Sequence, residues 1–516
     1  VLFSNKKHPR CGAVPKRAHI VRVFWYNRRI NYIKHKRNMT FKPYHQGQAL
    51  LLPPSYEDVL GEEHDVIVLR EFITELDTTI LEQSYANAHG GRAAYHPVML
   101  LSLLLYAYMN GIFSSRKIAR CCRQDLAFMY LAGNTTPDFR TLARFRKEKG
   151  AQFERFFAHV VTKAHDLGLV SFGTCSIDGT KLYANASREK NTSVDALKKT
   201  IRHCIDAAAD IDAKEDAMYG DAENDRDPQL RTKAGRARKR SALCAKQRIM
   251  EARLRTITGA VPEQPTTRIN TTDPDSRLIP MKRGDYANGY NVQNIVENGI
   301  ILSSSLFNTS ADQATLVPSV QKLRQEHQTP RRLLADKGYS TEDNYTFCEQ
   351  QGIDAYIPIA QEQVVLEDYL YDEKNDTYTH RDGRVYTFKQ YLLRRPGTGT
   401  EKRGRPLSTM PRSEKIRYYR RIVYKCTNAT TGERTLLCIT PVWQQHVQKQ
   451  KRKFATLHGQ QRYKQRIHDS EGVFANIKKN FGFTTFSLRG FAGVIAEWNI
   501  VSLAHNMKKM MRLQVA

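Results

Sequence analysis

Three short segments of this chain each present a carboxylate in a setting that suits a phosphodiester. They are Cys175-Ser176-Ile177-Asp178-Gly179-Thr180-Lys181, Leu333-Leu334-Ala335-Asp336-Lys337-Gly338-Tyr339, and the run from Tyr463 through Arg466 to Glu471. Magnesium wants hard oxygen ligands, uses one or two carboxylates and keeps its other positions for water or phosphate. Three acids that converge in space therefore fit two divalent metal ions held against a phosphodiester, the chemistry of cutting and rejoining a nucleic acid strand. Taken singly, Asp178 and Asp336 read as turn or cap residues and Glu471 as a solvated helix residue. Asp273, Asp275, Asp312, Asp343, Asp469 and Glu497 are competing acids that spacing alone does not set aside.

The surrounding elements must bring the three acids together. Asp178 lies in strand texture from Ser171 to Tyr183, and Gly179-Thr180 after it leaves room for a phosphate. Asp336 follows the apolar strand Arg332 to Ala335, and a strand C-terminus is a common place for ligand groups in an α/β sheet. Glu471 sits in helical texture from Tyr463 to about Lys479, with Phe474 one turn on and Lys478 on the Glu471 face. Between the first two acids the chain turns helical after Ser187. An acid-rich arm (206–225) and a basic arm (231–255) predict an antiparallel helical hairpin, an insertion over about 187–265. Strands resume from Tyr290 to Val296 and from Ile300 to Leu306, and the Asn298-Gly299 between them is a hairpin signal. A helix is expected from Thr315 to His327, a β-rich insertion over about 363–455, and a closing helix from about Gly490 to Met511.

Upstream, residues 55–157 read as helices. Pro97 suits a first helical position, and its apolar run stops at Asn110-Gly111. Ser114-Ser115 are expected to cap a helix to about Tyr130, and Thr136 to cap a third with Pro137 at its first position. Two helices across a short Gly-containing turn point to a helix-turn-helix, and Arg140, Arg144 and Arg146 on the third helix are candidate DNA contacts. The domains expected are thus 39–165, all helical and DNA-binding, and 166–516, a catalytic core with helical and β insertions.

The charge balance supports a nucleic acid partner. Lys and Arg number 81 against 52 Asp and Glu, a net charge of +29 that favours a polyanion ahead of a membrane surface. No run of about 18 apolar residues predicts a membrane span. The nine cysteines are scattered without a metal-ligand array, which favours a reducing compartment. Residues 1–38 hold eleven Lys or Arg and no acid. Met39 reads as the natural start with 1–38 as upstream read-through, the alternative being a disordered basic arm that tracks phosphates.

These motifs together resemble bacterial insertion-sequence transposases of the DDE class, in the group with a helical insertion after the first Asp. Phe41-Lys42-Pro43-Tyr44, Leu51-Leu52-Pro53-Pro54-Ser55, His96-Pro97, Pro137-Asp138-Phe139-Arg140-Thr141 and Phe145-Arg146 resemble the N-terminal signatures. Asp178-Gly179-Thr180-Lys181, Gly289-Tyr290-Asn291-Val292-Gln293 and Ala335-Asp336-Lys337-Gly338-Tyr339 resemble the first-Asp motif, the strand after it and the second-Asp motif. Tyr463, Arg466, Glu471 and Lys478 match a Tyr, Arg, Glu, Lys signature, with an Arg-to-Glu gap one residue longer than its broadest form.

The resemblance implies an α+β or α/β fold with a ribonuclease-H-like core, a mixed sheet flanked by helices. It implies Asp178, Asp336 and Glu471 as catalytic metal ligands for two Mg2+ or Mn2+ ions, with Tyr463, Arg466, Lys478 and Lys337 on DNA phosphates. It further implies double-stranded DNA partners (terminal inverted repeats and target), a homodimer on DNA, no membrane association, and the nucleoid-containing cytoplasm of a prokaryote. The rival expectations are a catalytically decayed DNA-binding protein and a metal-dependent nuclease without strand transfer.

Overall fold

The computed structural model describes residues 55–83, 94–218, 233–259, 268–281, 284–360, 365–394, 401–404, 421–427 and 434–515. The basic segment 1–38, Met39, part of the acid-rich arm and most of the Arg394 to Pro406 connection lie outside the described residues.

Eight strands precede residue 360: β1 (Thr174–Tyr183), β2 (Asn191–Thr192), β3 (Ile269–Asn270), β4 (Arg277–Pro280), β5 (Tyr286–Glu297), β6 (Ile300–Phe307), β7 (Arg332–Leu334) and β8 (Asp354–Tyr356). Six of them form one mixed sheet in the order β4-β5-β1-β7-β8, with β6 also on β5. The central β1 runs antiparallel to β5 and parallel to β7. The hairpin of β5 and β6 turns through Asn298 and Gly299, both at positive φ, which the Asn-Gly pair tolerates. β5 is buried on both faces from Asn288 onward even though it carries Asn288, Asn291, Gln293 and Asn294. Those amides must find partners inside the protein, because a buried polar group without one is costly.

The helices and this sheet share one hydrophobic core. The helix Pro97–Met109 is apolar on every face, with Leu100, Leu101, Leu103, Leu104 and Leu105 all buried, as expected of a helix at the centre of a core. His96 caps it by accepting from the Val98 amide, and Gly111 at φ +71 follows its end. The closing helix Gly490–Val515 packs on Pro97–Met109, on Gly150–Asp166 and on β6. The expected insertion after β1 is present as two helices, Val194–Met218 and Lys233–Gly259, packed on each other. The short β2 and β3 pair with each other where the chain leaves and rejoins the sheet.

Three local expectations are corrected. The helix from Ser115 ends at Gln124, because Asp125 turns extended and caps a new helix, Leu126–Leu131, by accepting from the Ala127 and Phe128 amides. The next helix, Phe139–Glu148, is capped by Asp138 accepting from the Arg140 amide at 2.8 Å, not by Thr136, and Pro137 lies before it. The β-rich insertion is shorter than 363–455. Its strands β9 (Tyr369–Asp372), β10 (Thr377–His380), β11 (Val385–Arg394), β12 (Glu401–Gly404), β13 (Arg421–Thr427) and β14 (Arg434–Ile439) give way at Pro441 to the helix Pro441–Ala455. That second sheet has its own small core around Tyr386, Tyr424 and Leu437.

Candidate active site

Strand register places the first two acids. β1 and β7 pair in parallel with Ser176 opposite Leu334. Asp178 lies two residues further along β1, and Asp336 lies two residues beyond the end of β7, capping the short helix Lys337–Tyr339, near enough for its charge to act on Asp178. Each is steadied by the glycine after it. The Gly179 amide donates to Asp178 Oδ1 at 2.9 Å, and the Gly338 amide to Asp336 Oδ1 at 2.7 Å.

The third acid arrives on a helix whose winding changes. After Leu457–Arg466 the chain makes a π-helical turn over Ile467–Glu471. An α-helix aligns residues four apart, whereas a π turn bonds i to i+5 and aligns residues five apart. Arg466 and Glu471 are five apart and meet, Nη2 to Oε1, at 2.9 Å. The π turn thus absorbs the one extra residue in the Arg-to-Glu gap. Ser470, at the shorter spacing, is fully buried and donates back to the Arg466 carbonyl. A second π turn, Asn476–Asn480, carries Lys478, whose Nζ donates to the Thr180 hydroxyl and to the Lys181 carbonyl just beyond Asp178.

Removal of Ile467, whose side chain is half exposed, should let the segment rewind as an α-helix with the guanidinium and carboxylate four apart and still facing. Nucleolytic activity in that deletion variant is expected within about tenfold of wild type. A loss as complete as that of a Glu471 variant would show that the π turn does not set the pairing.

Arg466 bridges the acids. Its Nη1 lies 3.7 Å from Asp178 Oδ2 while Nη2 holds Glu471, and its guanidinium carbon lies 5.8 Å from the Tyr463 ring centroid. Burial pushes the Asp178 carboxyl up to about 6; the Arg466 charge and the Gly179 amide oppose this, and the nearby Asp336 and Glu471 add to it. The raised value thus reflects burial first, with Arg466 offsetting part of it. Among the described residues no three His, Cys, Asp or Glu side chains form a ready metal cluster. The Arg466 guanidinium takes up carboxylate oxygens that a metal ion would use. The donor set still fits Mg2+ or Mn2+, because it is all carboxylate oxygen, partly desolvated and electron-rich.

The competing acids have partners of their own. Asp273 accepts from the Tyr290 hydroxyl and the Gly490 amide. Asp275 accepts from the Phe491 amide, Asp312 from Asn291 and Gln293, and Glu497 from the Ser487 and Leu488 amides. Asp469 also receives a 3.3 Å hydrogen bond, from Ser176. Of the expected DNA contacts, Arg140, Arg144 and Lys337 are exposed. Arg146 is a correction: it is 6% exposed, donates to the Tyr108 hydroxyl and the Phe113 carbonyl, and lies 3.6 Å from Glu497. Its charge is committed to the core. Sequence reasoning singled out Asn291 and Gln293 only within a motif resemblance and assigned the buried amides of β5 no role beside Asp178.

Two comparisons with known families bear on this arrangement. Residues 54–148 match a family described as a transposase domain (DUF772), and residues 421–511 match a family described as a transposase DDE domain. The second match spans Tyr463, Arg466, Glu471 and Lys478. No curated protein matches the chain.

Proposed function

We propose that this chain is an insertion-sequence DDE transposase that binds its element's terminal inverted repeats, hydrolyses phosphodiester bonds at the element ends and transfers the 3′-OH ends to target DNA, a reading that the two matched transposase domains support. The observation that carries the reading is that Arg466 joins Asp178 to Glu471, with Asp336 near enough for its charge to act on Asp178. The mixed sheet flanked by helices supports a ribonuclease-H-like core.

Asp178, Asp336 and Glu471 are the residues that would hold the metal. When bound, two Mg2+ or Mn2+ ions would activate the attacking oxygen and stabilise the leaving oxygen of an in-line displacement. Arg466 has a second task. Its guanidinium would also face a DNA phosphate, and among the described residues its buried Nε has no hydrogen-bond partner. Lys478, beside Thr180, and Tyr463, beside Arg466, extend the same phosphate-facing strip. Arg140 and Arg144 on the exposed side of Phe139–Glu148 are the contacts we assign to the inverted repeat. Two element ends call for two copies, so the working form is a homodimer on DNA, in the nucleoid-containing cytoplasm of a prokaryote. No described helix is long and apolar enough to cross a membrane.

A strand-transfer assay with a 3′-OH donor end and Mg2+ or Mn2+ tests the reading. Cleavage and joining that both disappear in Asp178→Asn, Asp336→Asn and Glu471→Gln are expected. Binding without cleavage in the wild type would instead identify a decayed DNA-binding protein, and cleavage without joining a nuclease. Cleavage that survives all three substitutions would remove these acids from the site.

A further inference from the structure

β5 and β7 lie on opposite sides of β1, yet a chain of buried hydrogen bonds joins them. The short helical turn after Asp336, Lys337–Tyr339, points the Tyr339 side chain inward, 1% exposed, and its hydroxyl donates to the Gln293 side-chain oxygen on β5. Gln293 Nε2 donates to Asp312 Oδ1 at 2.8 Å and to Asn291 Oδ1 at 3.1 Å, and Asn291 Nδ2 donates to the same Asp312 oxygen at 2.7 Å. The Tyr339 carbonyl is held from the other side by Asn344 Nδ2 at 2.8 Å.

The link passes over Gly179. Gly179 pairs with Gln293 across the strands, and a Cβ built on it would lie 2.2 Å from Gln293 Nε2 and 3.0 Å from Asp312 Oδ1. Only a residue without a side chain leaves this path open. Successive strand residues point to opposite faces, so the link lies on the far side of β1 from the Asp178 side chain. Asp336 moves with the turn, because its carboxylate is bonded to the Gly338 amide.

We propose that Tyr339, Gln293 and Asp312 are positioning residues that form a bolt behind β1 and set the separation of Asp178 and Asp336. The bolt touches no DNA and no reacting atom. It deepens the reading above, since it matters only if the two acids hold divalent cations together. Supports of this kind behind metal ligands alter affinity or activity by about 10- to 100-fold when removed.

The test uses the full chain and free Mn2+ measured by electron paramagnetic resonance, with no DNA present. Tyr339→Phe removes one hydroxyl and keeps the ring. It should weaken Mn2+ binding by about 10- to 100-fold and lower kcat for end cleavage by a similar factor, with KM for the DNA end unchanged. Gln293→Glu should do the same, because it puts a carboxylate against Asp312. The double variant Gln293→Glu with Asp312→Asn exchanges donor and acceptor and should restore Mn2+ binding to within about threefold of wild type. A purely structural role would lower the unfolding temperature of Tyr339→Phe without moving Mn2+ affinity, and that result overturns the bolt. Should Tyr339→Phe not fold, the exchanged pair decides: no recovery over Gln293→Glu alone overturns it. If wild type binds no Mn2+ through Asp178 and Asp336, the metal reading itself fails and the bolt falls with it. Wild-type binding matched by Tyr339→Phe sinks only the bolt.

Discussion

Asp178→Asn is expected to lose metal-dependent cleavage and, at the same time, to make the metal-free protein more stable at neutral pH. The loss follows from what the carboxylate would hold. Metal stabilisation of the displaced oxygens contributes several kcal/mol, so its removal lowers the rate by at least about a thousandfold. The gain follows from burial. The Asp178 carboxyl is pushed up to about 6 in the folded protein, above the ordinary value near 3.9 of an unfolded chain. Between those values the folded state binds the extra proton, so stability falls as pH rises from about 4 to about 6 and stays lowered above that.

An Asn at 178 carries no charge and escapes this cost, on the order of 2 kcal/mol at pH 7.5. Arg466 keeps Glu471 as a partner at 2.9 Å in the variant, so no charge is stranded. Urea unfolding in EDTA at pH 7.5 and pH 4.5 measures the effect. The stability gain should be full at the higher pH and reduced to about a third at the lower. A variant less stable than wild type at pH 7.5, or a gain that ignores pH, would mean that Asp178 is not held at a desolvated, electron-rich face. Activity and stability oppose each other at this residue because the carboxylate that would hold a cation is desolvated in the free protein, an effect Arg466 offsets only in part.

How much of this was visible in the sequence depends on the distance over which each residue's role is set. Asp178 and Asp336 could be placed because one lies in a local strand and the other directly follows one, and those strands pair in parallel. The Arg466–Glu471 gap is one residue longer than the signature it resembles, and nothing in Ile467-His468-Asp469-Ser470 announces the π turn that absorbs it. Asp138 as a cap was hidden by neighbouring Thr136, which could have served equally, and Asp125 by the helical texture that continues on both sides of it. The bolt behind β1 joins residues 293, 312 and 339, and its polar groups read as ordinary strand and loop residues until they are found buried together. Arg146 was misread for the same reason. It sits in a basic helix with Arg140, Arg144 and Lys147, and only a partner 351 residues away reveals that it points inward.

That partner gives the largest expected effect on folding. Glu497→Ala should destabilise the protein by about 3–5 kcal/mol, the usual consequence of leaving a buried charge without its counter-ion. Glu497 is fully buried and holds four groups besides Arg146. It accepts from the Ser487 amide at 2.7 Å, the Leu488 amide at 2.9 Å, the Ser487 hydroxyl and the Tyr108 hydroxyl at 3.3 Å. Its loss strands the Arg146 guanidinium, 6% exposed, and leaves two backbone amides unpaired in the turn that leads into Gly490–Val515. Because that helix packs on Pro97–Met109 and on β6, the damage reaches the seam between the helical segment and the catalytic sheet. Glu497→Gln should cost less, since its carbonyl oxygen can still accept from one or both amides. Arg146→Met should also cost less, because Glu497 keeps its four other donors and Met fills much of the vacated space. The ranking, with Glu497→Ala worst, then Glu497→Gln, then Arg146→Met, is read from urea midpoints at constant slope. A Glu497→Ala variant within about 1 kcal/mol of wild type would show that the pair contributes no more than a surface ion pair. The helical segment would then be held to the sheet by its apolar contacts alone.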